Sequence, residues 1–269
     1  MQSWLKNLHI ERYGPVDAEP VVMLHGWGSN AGLMRPLALA LQDKYRVFNI
    51  DLPGHGLTPP PPEPWGVPEH AALVQAFIDE EIKQPAHMVG HSNGGRISFF
   101  MASDPAYASS VHSLSLISPS GVKPKRTLKY HFRKGLATTL KAPFSILPAG
   151  LQTYGLDWLR HTLVWQWLGS SDYSQLQGVM RGVFVKTVNC LLDDRLALIK
   201  APAIFFWGTD DTSISKYQMD VATAKIQGSE MIILEGASHY GHLDQPAIVT
   251  EGMRHFLSHH PMRHPTPAE

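Results

Sequence analysis

The chain has 269 residues, of which 43% are hydrophobic and 17% charged, a composition that supports a large buried core and excludes a disordered chain. Its 23 basic residues equal its 23 acidic residues, so no overall charge attracts nucleic acid or an anionic membrane. The single cysteine, Cys190, excludes an internal disulfide and favours a reducing compartment. With no signal-peptide pattern and no apolar run of about 20 residues, we expect a cytoplasmic protein that binds neither membranes nor nucleic acid.

Short apolar runs alternate with longer amphipathic stretches along most of the chain. The runs predict strands at residues 21–24, 46–50, 87–89, 114–117, 203–207 and 231–234. Most of them are apolar at consecutive positions, which is typical of a parallel sheet covered by helices on both faces. Helical spacing is found at residues 33–42, 69–83, 94–103, 215–226 and 246–257. The sequence therefore predicts a mostly parallel, doubly wound α/β domain.

The alternation is interrupted between about residues 121 and 188, where aromatic, basic and leucine-rich segments predict helices. Because this insertion follows a strand, it would lie over the carboxyl edge of the sheet, where open α/β sheets bind ligands. We expect a discontinuous core at residues 1–120 and 189–258 and a helical cap or lid at residues 121–188. Residues 259–269 have little to bury and are expected to form a flexible tail.

The strongest chemical signal is the sequence Gly-His-Ser-Asn-Gly at residues 90–94, between a predicted strand and a predicted helix. This G-x-S-x-G pattern is typical of a nucleophile elbow, a tight turn that exposes the serine and needs small residues on either side. The helix that follows would direct free backbone N–H groups at the reacting centre. Ser92 is the candidate nucleophile, and a small-residue turn without chemistry remains the alternative for this motif alone.

A second motif, His-Gly-Trp-Gly at residues 25–28, directly follows the first predicted strand. With it the chain resembles the α/β-hydrolase family, in its serine-nucleophile branch, whose early strand ends in a histidine-glycine turn. The resemblance implies an α/β-hydrolase fold with a cap. It also implies that the backbone N–H groups of Trp27 and Asn93 form an oxyanion hole, which stabilises charge that develops on the substrate.

The same glycines match a different pattern, the dinucleotide fingerprint G-x-G-x-x-G/A, from Gly26 to Ala31. Asp51 lies about 20 residues further on, as that fingerprint requires, so the pattern taken alone predicts NAD binding. The loop at residues 52–56 is, however, one found beside the hydrolase turn, and a dinucleotide site gives no role to Ser92. We therefore expect no cofactor. We also expect no functional metal site, since the 15 histidines include no H-E-x-x-H pattern.

The candidate acid lies in the sequence Trp-Gly-Thr-Asp-Asp at residues 207–211, where the family has its acid after a late strand. The family spacing G-x-x-D selects Asp211. Asp210 remains the competing residue, and either aspartate could instead only begin the helix that follows.

The candidate base lies in residues 235–246, which resemble the histidine loop of the family. By that resemblance His239 is the base and His242 is structural. The order Ser92, Asp211, His239 is the order used by α/β hydrolases. Because a serine hydroxyl is a poor nucleophile near neutral pH, His239 would take its proton while Asp211 orients the imidazole.

The resemblance implies a serine hydrolase that cleaves carboxylic esters of small to medium apolar acyl groups. The fold also supports C–C bond hydrolases of vinylogous diketones, which use the same triad, and small-molecule receptors that turn over slowly. Basic residues are concentrated in the segment 123–134. They form either a solvated helix face or a docking surface for an anionic partner, such as an acyl carrier protein or a substrate carboxylate.

Overall fold

A computed structural model describes residues 1–125, 143 and 176–262 of the chain. Within these residues one seven-stranded sheet has the order β1-β3-β2-β4-β5-β6-β7. All neighbouring strands are parallel except β1 and β3. The strands are β1 (Ile10–Tyr13), β2 (Glu19–Leu24), β3 (Tyr45–Ile50), β4 (Ala86–His91), β5 (Val111–Ile117), β6 (Ala203–Gly208) and β7 (Glu230–Leu234).

Helices pack on both faces of this sheet, as the consecutive apolar residues predict. The α-helices of the described ranges are α1 (Ala31–Leu41), α2 (Val67–Phe77), α3 (Asn93–Ser103), α4 (Gly178–Asn189), α5 (Lys216–Lys225), α6 (Gly241–Asp244) and α7 (Pro246–His259). One buried core lies between the sheet and helices α1 and α7, and the other lies between the sheet and helices α2, α3 and α5. The predicted doubly wound α/β fold is confirmed.

Each of the six predicted strands is present and slightly longer than its apolar run, because the flanking residues also pair. Strand β1 was missed. Its sequence, Ile-Glu-Arg-Tyr, has two charged residues between an apolar and an aromatic residue, and it is only partly buried. As the antiparallel edge strand of the sheet it lacks the continuous apolar run that identifies the central strands.

The helix predicted at residues 69–83 also differs from the structure. It begins at Val67, with Pro68 in its first turn, and its last turn is a π-helix, Ile78–Ile82. The N–H of Lys83 donates to the carbonyl of Ile78 (2.7 Å), and Lys83 itself adopts the left-handed conformation that ends the helix.

The strand order reverses beside β2, because β3 lies on one side of it and β4 on the other. Loops that leave the carboxyl ends of β2 and β4 therefore diverge, and a crevice opens between them. Both candidate motifs at residues 25–28 and 90–94 follow these two strands. The topology alone thus brings them to one place.

Helix α4 belongs to the predicted cap and lies over these loops. The Phe184 ring contacts the Trp27 ring, with centroids 5.1 Å apart, and Met180 packs against Gly54. The buried guanidinium of Arg96 donates to the Thr187 carbonyl in the last turn of α4, a favourable place for a cation. Most of the predicted cap, residues 126–142 and 144–175, lies outside the described residues.

The start of the predicted tail is attached to the sheet. Helix α7 runs to His259. Beyond it, the His112 ring nitrogen Nε2 bonds to the carbonyl of His260 (3.0 Å), and the N–H of Met262 donates to Glu19 (2.8 Å). Among the helices in the described ranges, none has the length and apolar character needed to cross a bilayer.

Candidate active site

Ser92 occupies a strained turn between β4 and α3. Its backbone has φ 49° and ψ −107°, a region that residues other than glycine rarely adopt and that is concentrated at functional sites. Hydrogen bonds hold it there, because its N–H donates to Ile117 (3.0 Å) and its carbonyl accepts from Arg96 (3.1 Å) and Ser120 (3.0 Å). The predicted strand-to-helix geometry around Ser92 is therefore present.

The glycines of the motif allow three backbone segments to approach closely. A Cβ atom on Gly94 would lie 2.0 Å from the carbonyl oxygen of Leu24, at the end of β2. A Cβ atom on Gly90 would lie 2.6 Å from the backbone of Gly95. The small residues thus let the elbow sit directly against the neighbouring strand.

We expect Gly94→Ala to lower the free energy of unfolding by about 3 kcal/mol, since its methyl group would meet a backbone oxygen that cannot turn aside. Gly32→Ala, in helix α1, is the matched control. Its methyl group would first meet the Asn30 side chain, which can rotate, and alanine in a helix gains up to about 1 kcal/mol over glycine. Urea denaturation of both variants measures the difference, and equal stabilities would contradict this account.

Asp211 lies three residues beyond β6 and bonds to His239. Its Oδ2 is 2.9 Å from Nδ1 of the imidazole, and its carboxyl group is fully buried while the imidazole side chain is 15% exposed. The other oxygen, Oδ1, accepts the N–H groups of Ser213 (2.8 Å) and Ile214 (2.9 Å). Asp210 is exposed, so of the two competing aspartates Asp211 is the one that contacts the histidine.

The environment keeps Asp211 ionised. Burial acts to raise its pKa, but the hydrogen bonds from His239 and Ile214 outweigh burial and lower the pKa below its ordinary value. An ionised carboxylate accepts a hydrogen bond from an Nδ1 atom that carries a proton. In a neutral imidazole held in this way, Nε2 is the unprotonated nitrogen, which is the tautomer that a general base needs.

His91, the residue before Ser92, connects the elbow to the histidine loop. Its Nε2 donates to the carbonyl of His239 (3.0 Å), and the two rings are 4.9 Å apart. Burial, followed by the nearby His242, lowers the pKa of His91 well below its ordinary value, so the ring stays neutral. No sequence motif assigned a role to His91, although a polar residue at the end of an otherwise apolar strand was the available signal.

The turn at residues 25–28 lies against the elbow. A Cβ atom on Gly26 would be 3.2 Å from the Cβ of Ser92. The Nε2 atom of His25 accepts the Leu52 N–H (2.9 Å), so its Nδ1 carries the proton and donates to the Gly26 carbonyl (2.7 Å). Because the peptide is trans, this bond directs the N–H of Trp27 away from His25.

The second predicted oxyanion donor, Asn93, is the first residue of α3. The N–H groups of a helix's first turn have no acceptor within the helix, and the positive end of the helix dipole lies beside them. Trp27 follows Gly26, which contacts Ser92, and Asn93 follows Ser92 itself, so both predicted oxyanion donors belong to segments beside the elbow.

Asp51 has a structural role that explains the dinucleotide-like pattern. Its carboxylate accepts the N–H of Ala31, the first residue of α1 (2.6 Å), and the N–H of Leu57 (2.9 Å), and it bonds to His9 (2.8 Å). In a dinucleotide site the pyrophosphate would bind at this helix N-terminus. Here the Asp51 carboxylate already occupies that end of α1.

Three buried histidines, His25, His70 and His242, should make stability depend on pH. Burial lowers the pKa of each to about 4, against 6.5 for the exposed ring. Between pH 6.5 and about pH 4 these rings bind protons in the unfolded chain but not in the folded chain. The free energy of unfolding is therefore highest above pH 6.5 and falls as the pH drops toward 4. Each histidine lowers the free energy of unfolding by up to about 1.4 kcal/mol for each pH unit in this range.

Urea unfolding at pH 7.5, 6.0 and 5.0 tests this expectation. We expect the urea midpoint to fall progressively toward pH 5, and to fall less steeply in His70→Phe, which removes one of the buried rings with a lowered pKa. A midpoint that is constant from pH 7.5 to 5 would show that these rings titrate normally.

Known proteins resemble this chain in sequence and in fold. The chain is 26% identical over 264 residues to the pimeloyl-[acyl-carrier protein] methyl ester esterase of Aeromonas hydrophila. The alignment covers 93% of this chain and 99% of that protein. The crystal structure of the enol-lactonase from Burkholderia xenovorans LB400 matches with a TM-score of 0.69 at 21% identity, over 93% of this chain and 96% of that one. A hydrolase from Pseudomonas aeruginosa PA01 matches with a TM-score of 0.69 at 19% identity, over 93% of both chains.

At these identities the two structures show a shared fold. The model of one sequence family, described as the alpha/beta hydrolase family, matches residues 21–251. That span includes the elbow and both loops that carry Asp211 and His239. The chain therefore belongs to the alpha/beta hydrolase family.

Proposed function

We propose that the protein hydrolyses carboxylic esters through an acyl-serine intermediate. Ser92 is the nucleophile, His239 the general base and Asp211 the acid that orients it, and the N–H groups of Trp27 and Asn93 stabilise the oxyanion. The observation that carries this proposal is the bond between the buried Asp211 carboxylate and Nδ1 of His239 (2.9 Å), in the loops beside the elbow.

The proposed reaction has two steps. In the first, Nε2 of His239 takes the Ser92 proton as the serine oxygen attacks the ester carbonyl, and it then gives the proton to the departing alcohol. In the second, His239 takes a proton from water as the water oxygen attacks the acyl-serine, and it then gives that proton to the departing Ser92 oxygen, which releases the acid and restores the enzyme. In both steps negative charge develops on the carbonyl oxygen, where two backbone N–H groups stabilise it.

For the substrate we propose a methyl ester of a medium-length acyl chain. The name of the Aeromonas relative supports this choice, and so do the Trp27 and Phe184 rings, which form an apolar surface beside the elbow. An acyl carrier protein is the proposed anionic partner, bound by the basic segment 123–134. Lys123 and Lys125 are described in the structure, and the other basic residues of that segment lie outside the described residues.

The experiment is a comparison of initial rates on p-nitrophenyl acetate, butyrate and octanoate, on methyl esters of the same acyl chains, and on a vinylogous diketone. We expect hydrolysis of the esters with a dependence on acyl length and no comparable cleavage of the diketone. A preference for the diketone would replace ester hydrolysis with C–C bond hydrolysis. Binding of these compounds without turnover would instead indicate a receptor.

A further inference from the structure

Ser118 lies at the carboxyl end of β5, the strand next to the one that carries Asp211. Its N–H donates to the carbonyl of Phe206 in β6 (2.9 Å), and the residue is 1% exposed. Its backbone has φ 43°. Ser118 therefore shares with Ser92 a positive φ, a conformation that costs energy in residues other than glycine and persists where the surroundings enforce it.

The Ser118 hydroxyl is buried and makes no hydrogen bond of ordinary geometry in the structure. Buried hydroxyl groups nearly always have a partner, because an unpaired one loses its bonds to water. Ser118 and Asp211 follow neighbouring strands, because Ser118 ends β5 and Asp211 lies three residues beyond β6. The Asp211 carboxyl group is also fully buried, and the Ser118 side chain helps to lower its pKa.

The Asp211 carboxylate has room for one more donor. An ionised carboxylate offers about four acceptor positions, two on each oxygen. Both positions of Oδ1 are used by the N–H groups of Ser213 and Ile214. On Oδ2 one position is used by His239, which leaves the second position of the same oxygen open.

We propose that Ser118 is a positioning residue for the base, and that its hydroxyl donates a hydrogen bond to Oδ2 of Asp211. The side-chain torsion of an aspartate carboxyl group is broad, so donors on both oxygens are needed to fix its plane. The backbone N–H groups fix Oδ1, and Ser118 fixes the oxygen that holds His239. This inference rests on the proposed function, in which His239 acts as the base.

The test compares Ser118→Ala with Ser115→Ala. Ser115 is a matched control because it lies on the same strand, is 1% exposed and also has an unpaired buried hydroxyl. We expect Ser118→Ala to lower kcat about tenfold, the order of one hydrogen bond to a charged group, with KM unchanged. The acidic limb of its kcat/KM profile should move to higher pH. An Asp211 carboxylate that has lost a hydrogen-bond donor attracts the protonated imidazole more strongly, so the proton leaves the imidazole at higher pH. Ser115→Ala should match the wild type.

A second variant and a second readout make the test independent of folding and of turnover. Ser118→Gly removes the hydroxyl and relieves the positive φ, so it should fold at least as well and show the same kinetic loss. The downfield proton NMR signal of the His239 Nδ1–H group should shift in both Ser118 variants and not in Ser115→Ala.

Wild-type kinetics and an unshifted NMR signal in both Ser118 variants would overturn the inference. A wild-type protein without esterase activity would overturn the proposed function instead. In that case the NMR signal still reports whether Ser118 bonds to Asp211, so the two failures are distinguishable.

Discussion

Ser92→Ala should reduce ester turnover by about 10⁶-fold, the usual cost of losing a triad nucleophile, while leaving the fold intact. The elbow is held by backbone bonds of residue 92 to Ile117, Arg96 and Ser120, all of which alanine retains. Alanine also keeps the Cβ atom, so the strain of the positive φ is the same in both proteins. The expected loss is therefore chemical, and the free energy of unfolding should change little.

The measurement is the turnover of the best p-nitrophenyl ester, together with labelling by a fluorophosphonate that reacts with activated serines. Ser120→Ala is the control, since the Ser120 contact to the elbow is made by its backbone N–H. It should keep both activity and labelling. Residual activity of Ser92→Ala above about one part in 10³ would point to a different nucleophile, since only oxyanion stabilisation and binding remain after triad loss.

The second large effect is expected for Asp211→Asn, with a loss of about 10⁴-fold in kcat. The structure explains why an isosteric amide should fail. Its oxygen must take the place of Oδ1, because the N–H groups of Ser213 and Ile214 need an acceptor there. Its NH₂ group then faces Nδ1 of His239, which has to become the unprotonated nitrogen. The proton moves to Nε2, and the imidazole can no longer take one from Ser92.

Asp210→Asn is the matched control for this variant. The Asp210 side chain is exposed, and its backbone N–H bonds to Ala237 (3.0 Å), so we expect kcat within about twofold of the wild type, as for a surface substitution. The comparison decides between the two adjacent aspartates by turnover. A larger loss in Asp210→Asn than in Asp211→Asn would reverse the assignment.

Much of the fold followed from local sequence patterns. Apolar residues at consecutive positions identify strands β2 to β7, and β2 to β6 are buried on both faces as such runs predict. The α/β fold was predicted from these runs, and the family membership and the hydrolase class from motifs after strand ends. All three are confirmed by the family match and the similar proteins. The triad and the oxyanion hole remain predictions that the variants above test.

Other features of the site depended on contacts between distant residues. The sequence by itself determined strands β2 to β7 and that Ser92 follows one of them in a glycine-flanked turn, because burial and backbone conformation act over a few residues. Only the tertiary structure decided that His91 holds the carbonyl of His239, 148 residues away, and that the Ser118 side chain helps to lower the pKa of Asp211. Such contacts arise when separate strand ends meet at one edge of the sheet. The local sequence around either residue of a pair does not predict which distant residue it will contact.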